Sequence, residues 1–421
     1  MKYIKCFICL LIIGCTPIEK KIANQIVPIN LNSEEAFEPI GNVVKNKDIV
    51  ILGESQHGDG RTLELKSQLL KYLIEEQGFN TIAFEGRGFL DMEILNNHTP
   101  LDSLSKSLSK NSLLTWYAQE QMDMLNSAIL NNDLNFIGLE SYSYFVNRDP
   151  DSFIDYLKSF LEKNYENIEF NQWLRLKKIN YNIGLSKTDD ITEIDIDFYS
   201  QYLTSIIDEI ERQSKAGNPK NTEKDIVLNS IKNAAKYAVL FKNRWLYEGE
   251  INFPIYNNLR DKQMAENLFW HKTRNPNAKI IVWTANFHGA KKIKDVRYKK
   301  EDSILYNGYT LLGEHLHKKY GNSLYSIAFT SAGGESALLN QEPNEIIAPE
   351  GSLEKAIEHK NIDFGFIDFS ALRKSYPEMK NQNFDAIILG HDNKPGKWLN
   401  VFDGIFFVRR NEKISSVQKE N

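Results

Sequence analysis

Cysteine is scarce in this chain, which has only three cysteines among 421 residues, all of them before residue 16. The rest of the chain therefore has no thiol for a disulfide, a cysteine metal site or a thiolate nucleophile. Positive charge is not in excess either, because 51 Lys and Arg stand against 56 Asp and Glu, for a formal net charge of -5. This balance argues against nucleic acid as a partner, since nucleic-acid-binding proteins normally carry a basic face.

The N-terminal segment MKYIKCFICLLIIGC has an apolar run at 7–13, but the run is too short to span a bilayer as a helix. Lysines precede the run and a glycine and a cysteine follow it, which is the layout of a secretory signal. Residues 12–15 also resemble a bacterial lipobox. We therefore expect residues 1–14 to be a signal peptide and Cys15 to begin a lipidated tether over 15–30, with an ordinary signal or anchor as the alternative. Such a lipid would place the protein in the bacterial cell envelope, on a membrane and facing the periplasm or the exterior.

Several common site motifs are absent or incomplete. No P-loop is present, and GRGFLD at 86–91 lacks the third glycine of a dinucleotide fingerprint. GESQH lacks the second glycine of a nucleophile elbow, so Ser55 is not favoured as a nucleophile. HLH at 315–317 places two histidines on different sides of a predicted helix, which argues against a shared metal. His391 follows a predicted strand and could reach a site there.

Apolar runs of strand length alternate with amphipathic stretches of helix length. Between the first two runs, the leucines of RTLELKSQLLKYLIEEQGF fall mostly on one helical face, and Gly78 ends the pattern. This β-α-β alternation predicts an α/β fold with a mainly parallel sheet covered by helices. The predicted strands are 48–52, 81–84, 134–139, 279–284, 324–330 and 385–389.

The middle of the chain has a different pattern, because residues from about 145 to 270 contain no strand signal and have the periodicity of amphipathic helices. We therefore predict that a helical insertion or subdomain divides the α/β core into two parts. The polar C-terminus is expected to fray. The predicted boundaries are 31–144 for the first part of the core, 145–257 for the insertion, 258–410 for the second part and 411–421 for the polar tail.

Acids and histidines follow four of the predicted strands. In open α/β sheets ligands bind beyond the carboxyl ends of the strands, and parallel strands bring those ends to one edge. We therefore expect these residues to form one site, although any one of them could simply mark where a strand reaches solvent. In chain order they are Glu54 and His57, Glu85, Glu140, and Asn286 with His288.

His57 is the candidate general base, because an imidazole titrates near neutral pH. Glycines at positions 58 and 60 give the loop conformational freedom, and the helix amides at 60–62 are expected to donate to an anion. Glu85, at the end of the neighbouring predicted strand, is the expected partner that orients the ring. A histidine that only caps the helix is the alternative.

The chain contains, in order, the segments ILGESQHGDG, ELKSQLLKYLIEEQGFNTIAFEG, NNLRDKQMAENLFW and IIVWTANFHGA. Together they resemble the successive blocks of the erythromycin esterase family, in the same order and with similar spacing. The similarity is close over 45–90 and 258–290, and looser at LLTWYAQEQMDML, NFIGLE and YTLLGEHLHKKYGNSLYSIAFTSAGG. The resemblance implies an α/β core whose helical part forms one wall of an open cleft, and hydrolysis of a cyclic ester by water.

The resemblance also implies roles for individual residues. His57 matches the family's essential histidine and would activate water, Glu54 and Glu85 match its active-site acids, and His288 matches the second histidine of its Trp-Ala-His-Asn-x-His block. These four are the expected catalytic residues. The residues expected to bind the substrate are Arg61, Lys66, Trp283, Asn286 and Glu140.

Two departures from the family pattern argue against a macrolide substrate. Ala285 stands where the block has its first histidine, and Lys66 stands where the first helix has an arginine. A lysine keeps the charge but loses the bidentate fork. Arg61, about one turn earlier on the same predicted helix, could partly replace it.

Three functions remain open from the sequence. The favoured one is an esterase without a cofactor that acts on a small-molecule ester or lactone, in which His288, Arg61 and helix amides stabilise the oxyanion. The second is a hydrolase in which Glu54, His57, Glu85 and His288 bind a divalent metal. The third is a lipoprotein that binds a ligand without chemistry, which Ala285 would favour.

Overall fold

The computed structural model describes residues 17–98, 120, 134–141, 150–165, 172–184, 187–214, 222–242, 252–297 and 306–416. The predicted signal peptide and the lipidation site Cys15 lie outside the described residues. Within the described residues, no helix has the length and apolarity needed to cross a membrane.

Helices are found throughout the described chain, and most are amphipathic. The longest lie in the middle of the sequence. In chain order they are α1 (Ile18–Ala23), α2 (Glu38–Val44), α3 (Gly60–Glu75), α4 (Phe89–His98), α5 (Pro150–Asn164), α6 (Trp173–Gly184), α7 (Glu193–Ser214), α8 (Thr222–Phe241), α9 (Asn252–Arg274), α10 (Asn286–Gly289), α11 (Leu312–Tyr320), α12 (Leu353–Glu358), α13 (Phe369–Ser375) and α14 (Trp398–Val401).

Strands lie on both sides of the helical middle. In chain order they are β1 (Val27–Pro28), β2 (Ile49–Leu52), β3 (Thr81–Gly88), β4 (Asn135–Glu140), β5 (Ile280–Trp283), β6 (Leu324–Ser336), β7 (Asn344–Ile347), β8 (Phe364–Asp368), β9 (Phe384–Ala386), β10 (Lys394–Gly396) and β11 (Gly404–Asn411). All but β9 and β10 belong to one nine-stranded sheet, in the order β1-β8-β11-β6-β2-β5-β3-β4, with β7 paired to β6.

The sheet is mainly parallel, as the sequence predicted. The run β11-β6-β2-β5-β3-β4 is parallel throughout, whereas β8 pairs antiparallel with β11 and with β1. Central strand β2 is buried along its whole length. Its alternate residues face two helical layers, because Val50 and Leu52 pack with the leucines of α3, while Ile49 and Ile51 pack with α9 and α11. The α/β fold class is therefore confirmed.

One predicted strand is wrong in its extent and its sheet. Of 385–389, only the first residues form β9, which pairs with β10 in a separate two-stranded sheet. The chain then leaves the strand because the carbonyl of Ile388 accepts hydrogen bonds from the side chains of Asn286 and Ser55 instead of from a neighbouring strand. Strands β8 and β11 were not predicted, and β11 runs one residue into the segment predicted as a polar tail.

The described residues between α5 and α8 contain only helices and turns, and these helices have a hydrophobic core of their own. Phe89 and Leu90 of α4 belong to the same core, so it begins directly beyond the carboxyl end of β3. Helix α8 packs against both α4 and α9. The helical part is therefore joined to the edge of the sheet at which the candidate site lies.

Candidate active site

The carboxyl ends of β2, β3, β4 and β5 lie side by side. Leu52 pairs with Trp283, and Phe84 pairs with both Trp283 and Gly138. The segments that follow these strands therefore meet at one edge of the sheet. They bring together the acids and histidines that the sequence pattern singled out, in two adjoining groups of hydrogen-bonded side chains.

The first group consists of His57, Glu54 and Lys66. The Nδ1 atom of His57 is 3.0 Å from Oε1 of Glu54, and the ammonium of Lys66 donates to the other carboxylate oxygen, Oε2. Both Glu54 and Lys66 are completely buried. Burial lowers the pKa of Lys66 below its ordinary value, although the charge of Glu54 opposes that shift. A buried ion pair therefore holds the carboxylate that orients the imidazole.

Two expectations from the sequence are corrected by this group. The carboxylate that binds Nδ1 of His57 is Glu54 and not Glu85, because the turn after β2 folds back within three residues. Lys66 was expected to bind the substrate, but its ammonium lies under Glu54 and 4.0 Å from the ring centre of Trp283. Trp283 is itself fully buried. Both side chains support the site from beneath and are too deeply buried to contact a substrate.

The second group is centred on Glu85. Its Oε2 atom accepts hydrogen bonds from the hydroxyl of Thr284 at 2.6 Å and from the backbone amide of Ala285 at 2.9 Å. Its Oε1 atom is 3.0 Å from the guanidinium of Arg260 and 3.3 Å from Nε2 of His288. Burial tends to raise the pKa of Glu85, but the neighbouring charges of His288, Arg260 and His57 hold it well below its ordinary range. Glu85 is therefore a carboxylate in this site and not a proton donor.

Arg260, on α9, joins the side chains of this group. Its Nε atom donates to Oε2 of Glu140 at 3.0 Å, its Nη2 atom contacts Glu85 and Glu140, and its Nη1 atom is 2.9 Å from Nε2 of His288. Burial alone would lower the pKa of Arg260, but Glu140 and Glu85 hold it well above its ordinary value. Glu140, expected to bind the substrate, is occupied by this arginine.

His288 lies between two carboxylates. Its Nδ1 atom is 2.8 Å from Oδ1 of Asp261, which also accepts the backbone amide of Leu312 at 2.7 Å. Burial lowers the pKa of His288, but the charges of Asp261 and Glu85 outweigh that effect and raise it above its ordinary value. His288 is thus a basic group held in place by Asp261, with its Nε2 atom facing both Arg260 and Glu85.

Sequence reasoning missed Arg260 and Asp261, although both lie in the segment NNLRDKQMAENLFW that carried the resemblance. The pattern of acids and histidines after strands points only to residues at strand ends, whereas these two residues lie on a helix that crosses the edge of the sheet. The available signal was an adjacent arginine and aspartate within an otherwise helical block. Only the packing of α9 against β4 shows that both face the site.

Exposure separates His57 from the rest of the cluster. About 31% of its side chain is exposed, compared with 16% for Arg260, 8% for His288 and 3% for Glu85. A group that exchanges protons with a ligand or a water molecule must be reachable from solvent. His57 is therefore the side chain of this cluster best placed to do so.

The start of α3 does not match the expected anion site. The amides of Arg61 and Thr62 already donate to Glu412 and Asn411, and that of Gly60 donates to Gly58. The guanidinium of Arg61 is 2.5 Å from Glu64 and lies over the ring of Phe364. These contacts direct Arg61 away from the cluster, so its expected contribution to the oxyanion site is not supported. The guanidinium that lies in the cluster is that of Arg260.

Asn286 and Ser55 join loops beneath the site. The amide of Asn286 donates to the carbonyls of Phe329 and Ile388 at 2.7 and 2.8 Å, and the side chain is fully buried. Ser55 donates to the same Ile388 carbonyl at 2.8 Å. A side chain at position 53 would collide with Asn286, which explains Gly53. The buried amide holds loops together and is too deep to bind a substrate, and the serine hydroxyl is engaged by backbone.

His391 forms a third histidine–carboxylate pair, with Asp59 at 2.9 Å. Asp59 also accepts the backbone amide of Gln56 at 3.0 Å and the side-chain amide of Asn411 at 3.2 Å. These bonds fasten the loop that carries His57. His391 therefore helps to hold this loop in place through Asp59, and it is not part of the cluster around Glu85.

A metal site is not evident in the described part of the chain, where no three His, Asp, Glu or Cys side chains are arranged to hold an ion. The proposed ligands are instead engaged by protein cations. Lys66 neutralises Glu54, and Arg260 and His288 neutralise Glu85. A divalent ion would compete with these buried positive charges for the same oxygens.

Comparison with known proteins identifies the family. The family model described as Erythromycin esterase matches residues 74–410, which is most of the chain. The chain belongs to the erythromycin esterase family. Membership supports hydrolase activity and confirms the resemblance inferred from the sequence blocks.

Three relatives of this erythromycin esterase family member span most of its length. The Erythromycin esterase type II of Escherichia coli is 24% identical over 449 residues, covering 96% of this chain and 99% of the relative. The Putative hydrolase YbfO of Bacillus subtilis is 25% identical over 370 residues, covering 78% of this chain and 75% of the relative. A mutant of the erythromycin esterase EreC in its open conformation has a TM-score of 0.66 at 16% identity, covering 92% and 96% of the two chains. This structural likeness shows a shared fold.

Proposed function

We propose that the protein hydrolyses a small-molecule ester or lactone by direct attack of water, with His57 as the general base. The observation that carries this proposal is the partly exposed imidazole oriented by a buried carboxylate and ammonium. A general base needs one ring nitrogen held by a partner and the other directed at the proton it removes. The family and the name of the Escherichia coli relative support the ester class.

Hydrolysis would proceed in two steps. With Nδ1 bound to Glu54, Nε2 of His57 takes a proton from water as the water oxygen bonds to the carbonyl carbon. The carboxylate of Glu54 stabilises the resulting imidazolium. When the tetrahedral intermediate collapses, the carbon–oxygen bond to the alcohol breaks and Nε2 returns the proton to the leaving oxygen. The products are a carboxylic acid and an alcohol, which remain joined if the substrate is a lactone.

Negative charge develops on the carbonyl oxygen during this reaction. Arg260 and His288 are the basic side chains that contact Glu85, and Arg260 is the more exposed of the two. We assign oxyanion stabilisation to this pair, with Glu85, Glu140 and Asp261 as the groups that position it. Hydrogen-bond donors and positive charges that are already in place where the negative charge develops usually make the largest single contribution to catalysis.

Turnover of a panel of lactones, including a macrolide, and of aryl esters by the purified full chain tests this function. We expect the rate of hydrolysis to be unchanged by a chelator. The matched control is the same chelator already saturated with calcium. Loss of turnover only with free chelator would favour the metal-dependent alternative. Absence of turnover across the panel would favour a lipoprotein that binds a ligand without chemistry.

We also propose that Cys15 is lipidated and that the lipid attaches the protein to a bacterial membrane, facing the periplasm or the exterior. The layout of the first 15 residues supports this. Replacing Cys15 with Ala is expected to move the protein from the membrane fraction to the soluble fraction after cell breakage. Replacing Cys9 with Ala is the matched control and should leave the distribution unchanged. Continued membrane attachment of the Cys15 variant would contradict the lipid anchor.

A further inference from the structure

A cavity lies at the opposite edge of the sheet from the candidate active site. It has a volume of about 630 Å³ and opens beside the amino-terminal end of β6, at Leu324 and Tyr325. Its lining is strongly basic. The cationic side chains that line it are Lys47, Lys291, Lys292, Arg373, Lys374 and Lys380.

The floor of this basic cavity is built around a buried carboxylate. Asp403 is bonded to the ammonium of Lys291, to Nη2 of Arg373 at 2.7 Å and to the backbone amide of Ser326 at 3.0 Å. Lys291 is only 6% exposed. Burial tends to raise the pKa of Asp403, but Lys291 and Arg373 outweigh it and lower that pKa. One lysine and one arginine are thus held in place at the floor and share a single negative charge.

The other lining cations have little compensation. Lys292 is paired with Asp295 at 2.8 Å. Within the described part of the chain, by contrast, no carboxylate lies within ion-pair distance of Lys47, Lys374 or Lys380. The lysines and the arginine of the lining therefore outnumber the two carboxylates that pair with them, Asp295 and Asp403. Like charges around a concave volume repel one another, and a bound anion would relieve this repulsion.

We propose that the basic cavity binds a multiply charged phosphate group, carried either by a soluble phosphate ester or by a lipid headgroup. Several separated ammonium groups and one guanidinium match a compact anion with charge on several oxygens, and lysine and arginine are the usual donors to phosphate. The hydroxyl of Ser370 and the amide of Asn322 add polar groups to the lining. The cavity lies at the amino-terminal ends of the strands and includes none of the side chains around Glu85 or His57, so it is a separate site.

The proposal is tested by titrating pyrophosphate into the purified full chain and measuring the binding affinity by calorimetry, at low and at moderate salt. The cavity variant combines Lys47→Gln, Lys374→Gln and Lys380→Gln, which removes three cations and leaves the buried floor intact. We expect this variant to bind pyrophosphate at least about tenfold more weakly. The matched control combines Lys71→Gln, Lys236→Gln and Lys360→Gln, which lie on the surface away from the cavity and should change the affinity less than about twofold.

A vesicle assay distinguishes the two sources of phosphate. Chains carrying Cys15→Ala are floated with vesicles that contain phosphatidic acid, whose phosphomonoester carries more than one ionisable oxygen, or with vesicles of phosphatidylcholine. Flotation only with phosphatidic acid, and its loss in the cavity variant, would identify a lipid headgroup. Pyrophosphate binding without flotation would identify a soluble ester. Binding of neither probe would overturn the proposal, as would equal weakening in the cavity and control variants, which would indicate only unspecific charge.

Discussion

Replacing His57 with Asn is expected to lower kcat/KM for ester hydrolysis by about 10²- to 10⁴-fold, the range that general bases contribute. Asparagine can still accept or donate a hydrogen bond near Glu54, but it cannot take a proton from water. The partly exposed position of His57 means that its replacement removes little packing. Initial rates on the best ester of the panel, with thermal unfolding of the same samples, measure this effect.

His359→Asn is the matched control for this prediction. His359 is 56% exposed and lies near Glu350 on a different part of the surface. Its replacement should therefore leave kcat/KM unchanged. Equal activity of the His57 variant and the unmodified protein would remove His57 from the mechanism. A parallel loss of activity and of thermal stability would instead assign His57 to the structure of the loop.

Replacing Arg260 with Leu is expected to lower the free energy of unfolding by about 3 to 5 kcal/mol near neutral pH, the usual cost of removing one partner from a buried ion pair. The guanidinium is only 16% exposed and contacts both Glu85 and Glu140. Leucine would leave Glu140 buried without its cation and Glu85 with His288 as its nearest basic group. Urea unfolding of the two proteins at several pH values measures the difference.

The pH dependence of this destabilisation follows from Glu85. In the unmodified protein the pKa of Glu85 lies below its ordinary value, so its stabilising effect is present above about pH 4.3, the unfolded value, and is lost as pH falls through the folded pKa. Without Arg260, one of the charges that hold this pKa down is lost while His288 remains, so the pKa of Glu85 would lie higher in the variant than in the unmodified protein. The difference in stability between the two proteins should therefore shrink as the pH falls through that higher pKa.

Two further variants keep the Arg260 prediction open to contradiction. Adding Glu140→Gln to Arg260→Leu removes the carboxylate that is left without a cation and should recover part of the lost stability. Arg409→Leu breaks the exposed ion pair with Asp363 and should cost less than about 1 kcal/mol. A destabilisation by Arg260→Leu no larger than that of Arg409→Leu, or one that grows as the pH falls, would contradict the account of the buried cluster.

Local patterns predicted the parts of the fold that depend on chain neighbours. The continuous apolar run before Gly53 is a central strand buried on both faces, and the leucine spacing that follows it is the amphipathic helix α3. Strand β11 escaped prediction although it is rich in Ile and Phe, and the isoleucines at 387–388 were assigned to a strand that they leave. In both cases the group that hydrogen-bonds to the backbone decides whether a strand forms. That group is distant in sequence, since β11 pairs with β6 and the carbonyl of Ile388 accepts from Asn286.

The sequence by itself determined the α/β class, the family and the edge of the sheet at which the site lies. Strand periodicity and the order of the motif blocks are properties of the linear chain, and parallel strands necessarily bring their carboxyl ends together. The linear pattern alone places five residues of the site at that edge: Glu54, His57, Glu85, Glu140 and His288.

Only the tertiary structure decided which side chains bind each other. Glu54 takes the place expected for Glu85 because the turn after β2 folds back, and Lys66 lies beneath it because α3 buries that face. Arg260 and Asp261 enter the site because α9 crosses the end of β4. Buried charges require partners, and packing of distant elements determines which partners lie within hydrogen-bond distance.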